Sequence, residues 1–272
     1  MHYKLLSDLD CDPHINLQER GLHYGDGLFE TMLLGGGQIK YWHEHYQRLQ
    51  ASSQKLFIDC PPRAWFEKKL EPYIELNQRL VIKIILTRGQ GGRGIQIPEE
   101  LESHIYILKY RSSSPARPEP VKAIFSEVPL AINFNLAGIK HLNRLDYVLA
   151  AHQLKQRPAY NEALLLNTSG FLVESIVNNL FFVKGNVTYT PLLNESGVLG
   201  IMRQLILKKL KQSAKKVIIG SFVKQELLES DECFLCNSVQ GVRPITQIED
   251  QSFRVGPLTK YLQQEFHGHS GS

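Results

Sequence analysis

Two charged residues lie in apolar surroundings. Lys140 follows an apolar run just before a predicted helix, and Glu174 lies in the middle of a predicted strand. A desolvated amine can act as a nucleophile, and a buried carboxylate can hold a protonated ring nitrogen. The structural alternative makes Lys140 a surface lysine and Glu174 an acid on an edge strand, and spacing alone favours that alternative. A chemical role for Lys140 and Glu174 therefore needs evidence from other residues.

A candidate anion site follows Glu174 along the chain. Residues 196–203 read SGVLGIMR, a loop framed by glycines that leads into a predicted amphipathic helix. The first N–H groups of a helix have no partner within it and attract anions. Asn237 and Ser238, at the end of a predicted strand, and Arg48, within a predicted helix, could add donors. Each also has an ordinary structural explanation, such as a plain loop-to-helix junction or a solvated arginine.

The run GQGGRG at residues 89–94 has the spacing of a dinucleotide-binding fingerprint and follows a predicted strand. Residues 95–98 read IQIP rather than the start of a helix, and no βαβ unit with a ribose-binding acid follows. We interpret the run as a glycine-rich loop between antiparallel strands, with Arg93 as a group that could point into a site. A nucleotide-binding module remains the alternative from another functional class.

Cys233 and Cys236 have the spacing of a zinc knuckle. A zinc site needs four ligands, and positions three apart on a strand face opposite sides. Cys11 and His14 form a poor second pair. We therefore predict buried thiols at the two strand cysteines and no metal site.

The organisation of the chain indicates two domains. Residues 110–120 read YRSSSPARPEP, which is typical of an extended linker. We predict a small N-terminal α+β domain at 1–112, a linker at 113–120, a larger C-terminal domain with Lys140 at 121–266 and a mobile tail at 267–272. The fold class is α+β or α/β with two domains.

Hydrophobic periodicity places the main elements. The predicted strands and helices before the linker are a hairpin at 27–34 and 38–41, helices at 42–55 and 64–76, and strands at 80–86 and 103–110. After the linker they are strands at 122–127, 163–166, 186–190, 217–219 and 232–237, with helices at 142–155, 201–212 and 224–228. Residues 171–183 are either a strand pair or one long strand with an asparagine kink. The helix at 142–155 is predicted because Leu142, Leu145, Val148, Leu149 and His152 recur at helical spacing.

Composition excludes several classes of protein. The 272 residues are 43% apolar, and 31 basic against 27 acidic side chains give a net charge of +4 without a basic cluster. We expect no nucleic-acid partner. The N-terminus lacks the apolar run of a signal peptide, and no stretch is long and apolar enough for a membrane span. We therefore expect a cytoplasmic protein without a membrane partner.

Together these stretches resemble the fold-type IV pyridoxal phosphate enzymes, the D-amino acid aminotransferase-like family. The resemblance rests on six blocks in order along nearly the whole chain. The blocks lie at residues 20–31, 45–49, 138–145, 173–181, 197–203 and 236–238. It implies pyridoxal 5'-phosphate as cofactor, with Lys140 as its covalent partner and Glu174 beside its ring nitrogen. The residues that it implies around the phosphate are Arg48, Ile201, Met202, Asn237 and Ser238.

Within the family, the residues after Lys140 resemble those of lyases that act on 4-amino-4-deoxychorismate. His141-Leu142-Asn143-Arg144 lacks the glycine pair and tyrosine of branched-chain aminotransferases, and Thr87-Arg88-Gly89 lacks the arginine and histidine of D-amino-acid aminotransferases. Ile95 departs from the lyase pattern, where an aromatic residue is expected. The resemblance implies a homodimer that forms p-aminobenzoate and pyruvate for folate synthesis, with Arg93 on a substrate carboxylate. An aminotransferase of the same fold is the alternative.

Overall fold

The computed structural model describes residues 3–7, 14–76, 78–112 and 118–267. The chain divides into two compact units, Met1–Ser113 with Lys140–Asn143, and Ser114–Ile139 with Arg144–Ser272. The predicted domain boundaries remain predictions. Residues 113–117 of the predicted linker and 268–272 of the predicted tail lie outside the described residues.

The first unit is built on a five-stranded sheet with the order β1-β5-β4-β2-β3. Its strands are β1 (Tyr3–Ser7), β2 (Gly27–Gly35), β3 (Gln38–Ile39), β4 (Leu80–Thr87) and β5 (Ser103–Arg111). Its helices are α1 (Arg20–Tyr24), α2 (Trp42–Lys55) and α3 (Arg63–Glu75). β1 runs parallel to β5, and the other neighbours are antiparallel.

The two faces of this sheet differ in burial because side chains alternate along a strand. Leu28, Met32, Ile82 and Ile84 lie on a face that is almost completely buried, and α2 packs against β2. The opposite face is only half-buried and carries side chains of β2 and β4. These are Phe29, Thr31, Lys83 and Ile85.

A short peptide around Lys140 lies along the edge of β2. The N–H of Phe29 donates to the Lys140 carbonyl at 3.0 Å, and the N–H of Leu142 donates to the Gly27 carbonyl at 3.0 Å. These bonds hold residues 140–142 extended. The helix predicted at 142–155 therefore begins later, as α4 at Leu145.

The second unit contains a nine-stranded sheet, ordered β11-β10-β9-β12-β13-β6-β7-β8 with β14 beside β13. Its strands are β6 (Val121–Phe125), β7 (Glu162–Leu166), β8 (Leu172–Ser175), β9 (Asn179–Lys184), β10 (Val187–Pro191), β11 (Lys216–Gly220), β12 (Glu232–Asn237), β13 (Gly241–Ile248) and β14 (Gln251–Ser252). Its helices are α4 (Leu145–Lys155), α5 (Ile201–Gln212), α6 (Lys224–Leu228) and α7 (Pro257–His267).

The strands β9, β12, β13, β6, β7 and β8 form a closed ring, because β8 pairs with both β7 and β9. A single residue pair, Glu174 with Asn179, joins β8 to β9. Apolar side chains of the central strands form the core, where the aromatic rings of Phe181 and Phe234 stack with their centroids 5.1 Å apart. The ring of strands closes at Glu174, a candidate site residue.

The apolar positions at helical spacing on α4 do not join the core, since Leu145 is 69% exposed, Val148 58% and Leu149 48%. Both cysteines of β12 are buried and free, which confirms the prediction of buried thiols, and burial raises the pKa of each. Within the described ranges, none of the helices is both long and apolar enough to span a bilayer.

Candidate active site

Glu174 is the centre of a buried polar cluster in the second unit. Its side chain lies on β8, and the residue is only 4% exposed. Tyr147 Oη donates to Oε1 at 2.6 Å, while Asn179 Nδ2 and the Val198 N–H donate to Oε2 at 2.9 and 3.1 Å. Donors of this kind compensate the cost of burying a carboxylate. Glu174 can therefore remain an anion inside the protein.

The sequence around Glu174 explains this arrangement. β8 ends at Ser175, whose N–H donates to the Asn178 carbonyl at 2.7 Å, and the Asn178 N–H returns to Ser175 Oγ at 3.1 Å. The chain then reverses into β9, so that Asn179 lies opposite Glu174. The predicted asparagine kink is thus a tight turn between two paired strands.

The loop before α5 lies directly against these strands. A Cβ on Gly197, whose φ is +85°, would come within 2.6 Å of Val173 Cγ1, and a Cβ on Gly200 would come within 1.9 Å of Asn179 Oδ1. Only glycine permits this approach. The loop therefore brings the Val198 N–H to Glu174 and starts α5 beside Asn179.

The N-terminus of α5 has the features of an anion site. Gly200 is its N-cap residue, and no side chain caps the first turn. The side chains of Ile201 and Met202 are buried, so it is their backbone N–H groups that could bind a phosphate. Arg203 is buried as well and donates to Thr190 Oγ1 and to the Pro191 carbonyl, which ties the helix to β10. The start of α5 is a rigid, positively polarised end of a helix.

Asn237 has a structural role at the end of β12. Its Nδ2 donates to Asn178 Oδ1 at 2.7 Å and to Gln240 Oε1 at 3.0 Å, and its Oδ1 accepts from the N–H groups of Val239 and Gln240. The side chain thus shapes the turn into β13, and Asn178 links it to the turn beside Glu174. That Asn237 and Ser238 bind a phosphate stays a prediction.

Lys140 belongs to the first unit. Its side chain is half-buried, and Nζ lies 4.3 Å from the ring centroid of Phe29. The extended peptide on the edge of β2 fixes its backbone. Two residues earlier, within the second unit, the N–H of Gly138 donates to the Gly197 carbonyl.

Arg48 on α2 forms a buried ion pair with Glu30 on β2. Nε and Nη2 donate to the two carboxylate oxygens at 2.8 and 2.5 Å, and His45 Nδ1 donates at 2.6 Å. Burial alone would raise the pKa of Glu30, but the charges of Arg48 and then His45 outweigh it and hold the pKa at about 2. Sequence reasoning missed Glu30, which alternation along β2 places on the buried face. The phosphate contact of Arg48 stays a prediction.

Arg93 is exposed on the loop at residues 89–94. Arg20 fixes this loop by donating to the carbonyls of Ile95 and Gln96, both at 3.1 Å, and Tyr24 Oη donates to the Gly94 carbonyl at 2.9 Å. The loop joins antiparallel strands and contains no helix, in agreement with its interpretation as a connection. The substrate contact of Arg93 stays a prediction. In the described ranges, no three His, Cys, Asp or Glu side chains are grouped as metal ligands.

Known proteins are similar to this chain over nearly its whole length. Aminodeoxychorismate lyase of Vibrio harveyi is 33% identical, covering 92% of this chain and 94% of the relative. The crystal structure of 4-amino-4-deoxychorismate lyase from Pseudomonas aeruginosa superimposes with a TM-score of 0.87 at 32% identity, covering 96% and 97% of the two chains. D-alanine aminotransferase of Bacillus licheniformis is 27% identical, covering 96% and 92%.

The match to a protein family includes most of the site. Residues 27–248 fit the amino-transferase class IV family, a range that extends from β2 to β13 and contains Lys140, Glu174 and the start of α5. The fold-type IV architecture expected from the sequence is thereby confirmed. The chain belongs to the amino-transferase class IV family.

Proposed function

We propose that the protein is a lyase that converts 4-amino-4-deoxychorismate to p-aminobenzoate and pyruvate, with pyridoxal 5'-phosphate as cofactor. The observation that carries the proposal is the similarity at 32–33% identity, over more than nine-tenths of each chain, to proteins named for that reaction. The aminotransferase relatives are less similar, at 27% for the one from Bacillus licheniformis. We assign the protein to folate synthesis on this basis.

The donor set fits this cofactor. A buried carboxylate with three donors suits a protonated pyridine nitrogen, the uncapped start of α5 suits a phosphate, and a half-buried lysine suits a covalent bond to the aldehyde. Glu174, Ile201, Met202 and Lys140 would therefore hold it, with Arg48, Asn237 and Ser238 as further candidates. When bound, pyridoxal phosphate supplies a cationic conjugated ring that accepts an electron pair from the substrate.

Lys140 is the residue that moves the proton. Its amine, in the neutral form, would take the proton from the ring carbon that bears the substrate nitrogen. The electron pair left behind allows the adjacent carbon–oxygen bond to break, and the six-membered ring becomes aromatic. Enolpyruvate leaves and becomes pyruvate by gaining one proton, which the Lys140 ammonium can return. Atoms balance without water, because one proton leaves the ring and one joins the product.

Glu174 contributes charge and orientation rather than proton transfer. Three donors fix the direction of its carboxylate, and a fixed negative charge keeps a ring nitrogen protonated. The protein excludes water from this group, since Glu174, Ser175, Asn178 and Asn179 are all buried.

We further propose that the active form is a cytoplasmic homodimer.

The test is product formation by the purified protein loaded with pyridoxal phosphate and given freshly prepared 4-amino-4-deoxychorismate. We expect equal amounts of p-aminobenzoate and pyruvate from the natural protein and no turnover by Lys140→Ala. Lys122→Ala, at an exposed position of β6, is the matched control and should retain full activity. Full turnover by Lys140→Ala would overturn the role of that residue.

The aminotransferase alternative has its own readout. D-alanine or a branched-chain amino acid would convert the bound cofactor to its amine form, with loss of the visible absorption band. A protein that does so and releases no p-aminobenzoate is a transaminase, and the lyase proposal is then wrong.

A further inference from the structure

Glu162 and Arg243 form a buried ion pair in the second unit that the proposed reaction does not use. Glu162 is the first residue of β7, Arg243 lies near the start of β13, and they are only 3% and 7% exposed. Arg243 Nη1 lies 3.8 Å from Glu162 Oε2. Burial raises the pKa of the Glu162 carboxyl, and the charge of Arg243 opposes that shift. Desolvation offsets the attraction within such a pair, so a gain in stability does not by itself explain it.

The ion pair closes a network of five polar side chains, which we call the polar network. Asn178 Nδ2 donates to Glu162 Oε2 at 2.7 Å, and Asn237 Nδ2 donates to Asn178 Oδ1 at 2.7 Å. Gln240 Oε1 accepts from Asn237 Nδ2 at 3.0 Å and from Arg243 Nη1 at 3.5 Å. Each member therefore contacts two others, and the contacts return to the starting residue.

Glu162 holds the turn between β8 and β9, residues 175–178, which we call the first turn. Besides the Asn178 side chain, its carboxylate accepts from the Ile176 N–H. The first turn is preceded by Glu174 and followed by Asn179, which donates to the Glu174 carboxylate. The direction of that carboxylate therefore depends on the position of the first turn.

Arg243 holds the turn between β12 and β13, residues 237–240, which we call the second turn. Its Nη1 donates to Gln240 in that turn, and its Nε donates to the Glu119 carbonyl at 3.3 Å, ahead of β6. The guanidinium is thus fixed from two sides. The second turn contains Asn237 and Ser238, which are candidate phosphate contacts.

We infer that Glu162 and Arg243 are positioning residues that couple the first turn to the second turn. The inference rests on the proposed function, because Glu174 and Ser238 are its candidate contacts to pyridoxal phosphate. Hydrogen bonds in a buried network support one another, and loss of one member leaves its partners unpaired. A change at Glu162 is therefore transmitted to the second turn, which Glu162 does not belong to.

Glu162→Gln tests this coupling, because it keeps the size of the side chain and removes its charge. The NH₂ group of the new amide must face a donor, either Asn178 Nδ2 or the Ala163 N–H. In the cofactor-free protein the readout is hydrogen exchange of the backbone amides of Val239 and Gln240, both of which donate to Asn237 Oδ1. We expect their exchange to accelerate by about tenfold or more.

The same variant is then titrated with pyridoxal phosphate. We expect its dissociation constant to rise by about tenfold or more and the ³¹P resonance of the bound phosphate to shift. Arg243→Lys retains the positive charge and should bind the cofactor nearly as well as the natural protein. Arg243→Met should bind it as weakly as Glu162→Gln.

Glu232→Gln is the matched control, since Glu232 is also a carboxylate that is 3% exposed. Glu232 starts β12, at the end opposite Asn237, and accepts from the N–H groups of Leu258 and Thr259 at the start of α7. Its loss should lower the stability of the protein. The dissociation constant of pyridoxal phosphate and the exchange of the second turn should stay within about twofold of the natural protein.

Gln240→Met is measured in parallel, so that a variant remains if Glu162→Gln does not fold. It occupies a partly exposed position and breaks the link between Arg243 and Asn237 without removing a charge. Its readout lies in the first turn, where the Asn178 N–H donates to Ser175 Oγ. Exchange of that amide should accelerate by about threefold or more.

Unchanged exchange of the second turn in Glu162→Gln overturns the inference, as does unchanged exchange of the Asn178 amide in Gln240→Met. Equal effects of Glu162→Gln and Glu232→Gln on both readouts also overturn it, because the change would then reflect stability alone. If the natural protein does not bind pyridoxal phosphate and the exchange still responds as expected, the proposed function is wrong and the coupling of the two turns stands.

Discussion

Three neutral groups donate to the Glu174 carboxylate inside the second unit, and donors of this kind favour its charged form. Tyr147 is the nearest of them, and burial together with the Glu174 charge raises the pKa of its hydroxyl well above the ordinary value. The hydroxyl therefore stays protonated at neutral pH and can donate to the carboxylate. Tyr147 positions the carboxylate without being a reacting group.

Tyr147→Phe should lower the stability of the cofactor-free protein at neutral pH by about 1.5 to 3 kcal/mol, the value of a hydrogen bond to a charged group. Denaturant unfolding measures the change. Tyr189→Phe is the control, since the Tyr189 ring stacks on Phe182 and its packing is unchanged by loss of the hydroxyl. Equal stability of the two variants would show that Tyr147 contributes nothing to Glu174.

The Glu30 ion pair predicts that the stability of the protein depends on pH. The pKa of the Glu30 carboxyl, about 2, lies below the ordinary value of about 4.3. The stabilisation by this pair is therefore complete above the ordinary value and is lost as the pH falls through about 2. Arg48→Met leaves a buried carboxylate without its main partner and should cost about 3 to 5 kcal/mol at neutral pH. The difference from the natural protein should shrink as the pH is lowered toward 2.

The matched control for Arg48→Met is Arg63→Met, which removes an exposed ion pair with Glu67 at 2.7 Å. Exposed pairs contribute about 0 to 1 kcal/mol. The cofactor-free protein is used for both variants, so that a phosphate contact does not enter the measurement. If Arg48→Met costs no more than Arg63→Met, the Glu30 pair is not structural and Arg48 is available mainly to a ligand.

The sequence identifies residues whose charge conflicts with their surroundings, and it misses those that depend on a partner. Lys140 and Glu174 stand out because each interrupts an apolar run. Glu30 and Tyr147 do not, because their importance depends on which residue the fold places opposite them.

At the scale of elements, the close contact of the α5 loop with β9 is the feature most sensitive to change. Gly200→Ala places a Cβ within 1.9 Å of Asn179 Oδ1 and must displace a donor of Glu174. We expect a loss of about 1 to 3 kcal/mol, the usual cost of overpacking, and weaker binding of pyridoxal phosphate. Unfolding and cofactor titration measure the two effects.

Gly92→Ala is the control for that variant, because no atom lies within 4 Å of the added Cβ. It should leave stability within about 0.5 kcal/mol, as most surface changes do. A Gly200→Ala protein as stable as the control would mean that the loop can retreat from β9 without cost.

Most elements can be predicted from periodicity, and the exceptions have physical causes. Helices α2 and α5 begin and end where the sequence predicts, because each has an apolar stripe that packs. The predicted start of α4 at residue 142 is wrong, because pairing with β2 holds residues 140–142 extended. The sequence does not predict β1, β13 or α7, since segments of mixed polarity become strands and helices through contacts with their neighbours.

At the scale of the whole molecule, exposed apolar side chains on α4 favour association. We predict that sedimentation analysis at micromolar concentration gives a mass near twice the chain's 31.0 kDa. Dilution should lower activity once the dimer dissociates. A monomer with full specific activity at every concentration would contradict the homodimer.

The peptide at 140–142 also limits how such a protein can evolve. The second unit surrounds this peptide in sequence, yet the peptide forms its hydrogen bonds with β2 of the first unit. A recombination that exchanged residues 118–267 between two relatives would bring in a lysine whose backbone must match a foreign strand. A side chain at position 27 would also collide with Leu142, since a Cβ on Gly27 would come within 2.8 Å of Leu142 Cδ1, so we expect the two units to be poorly exchangeable as independent modules.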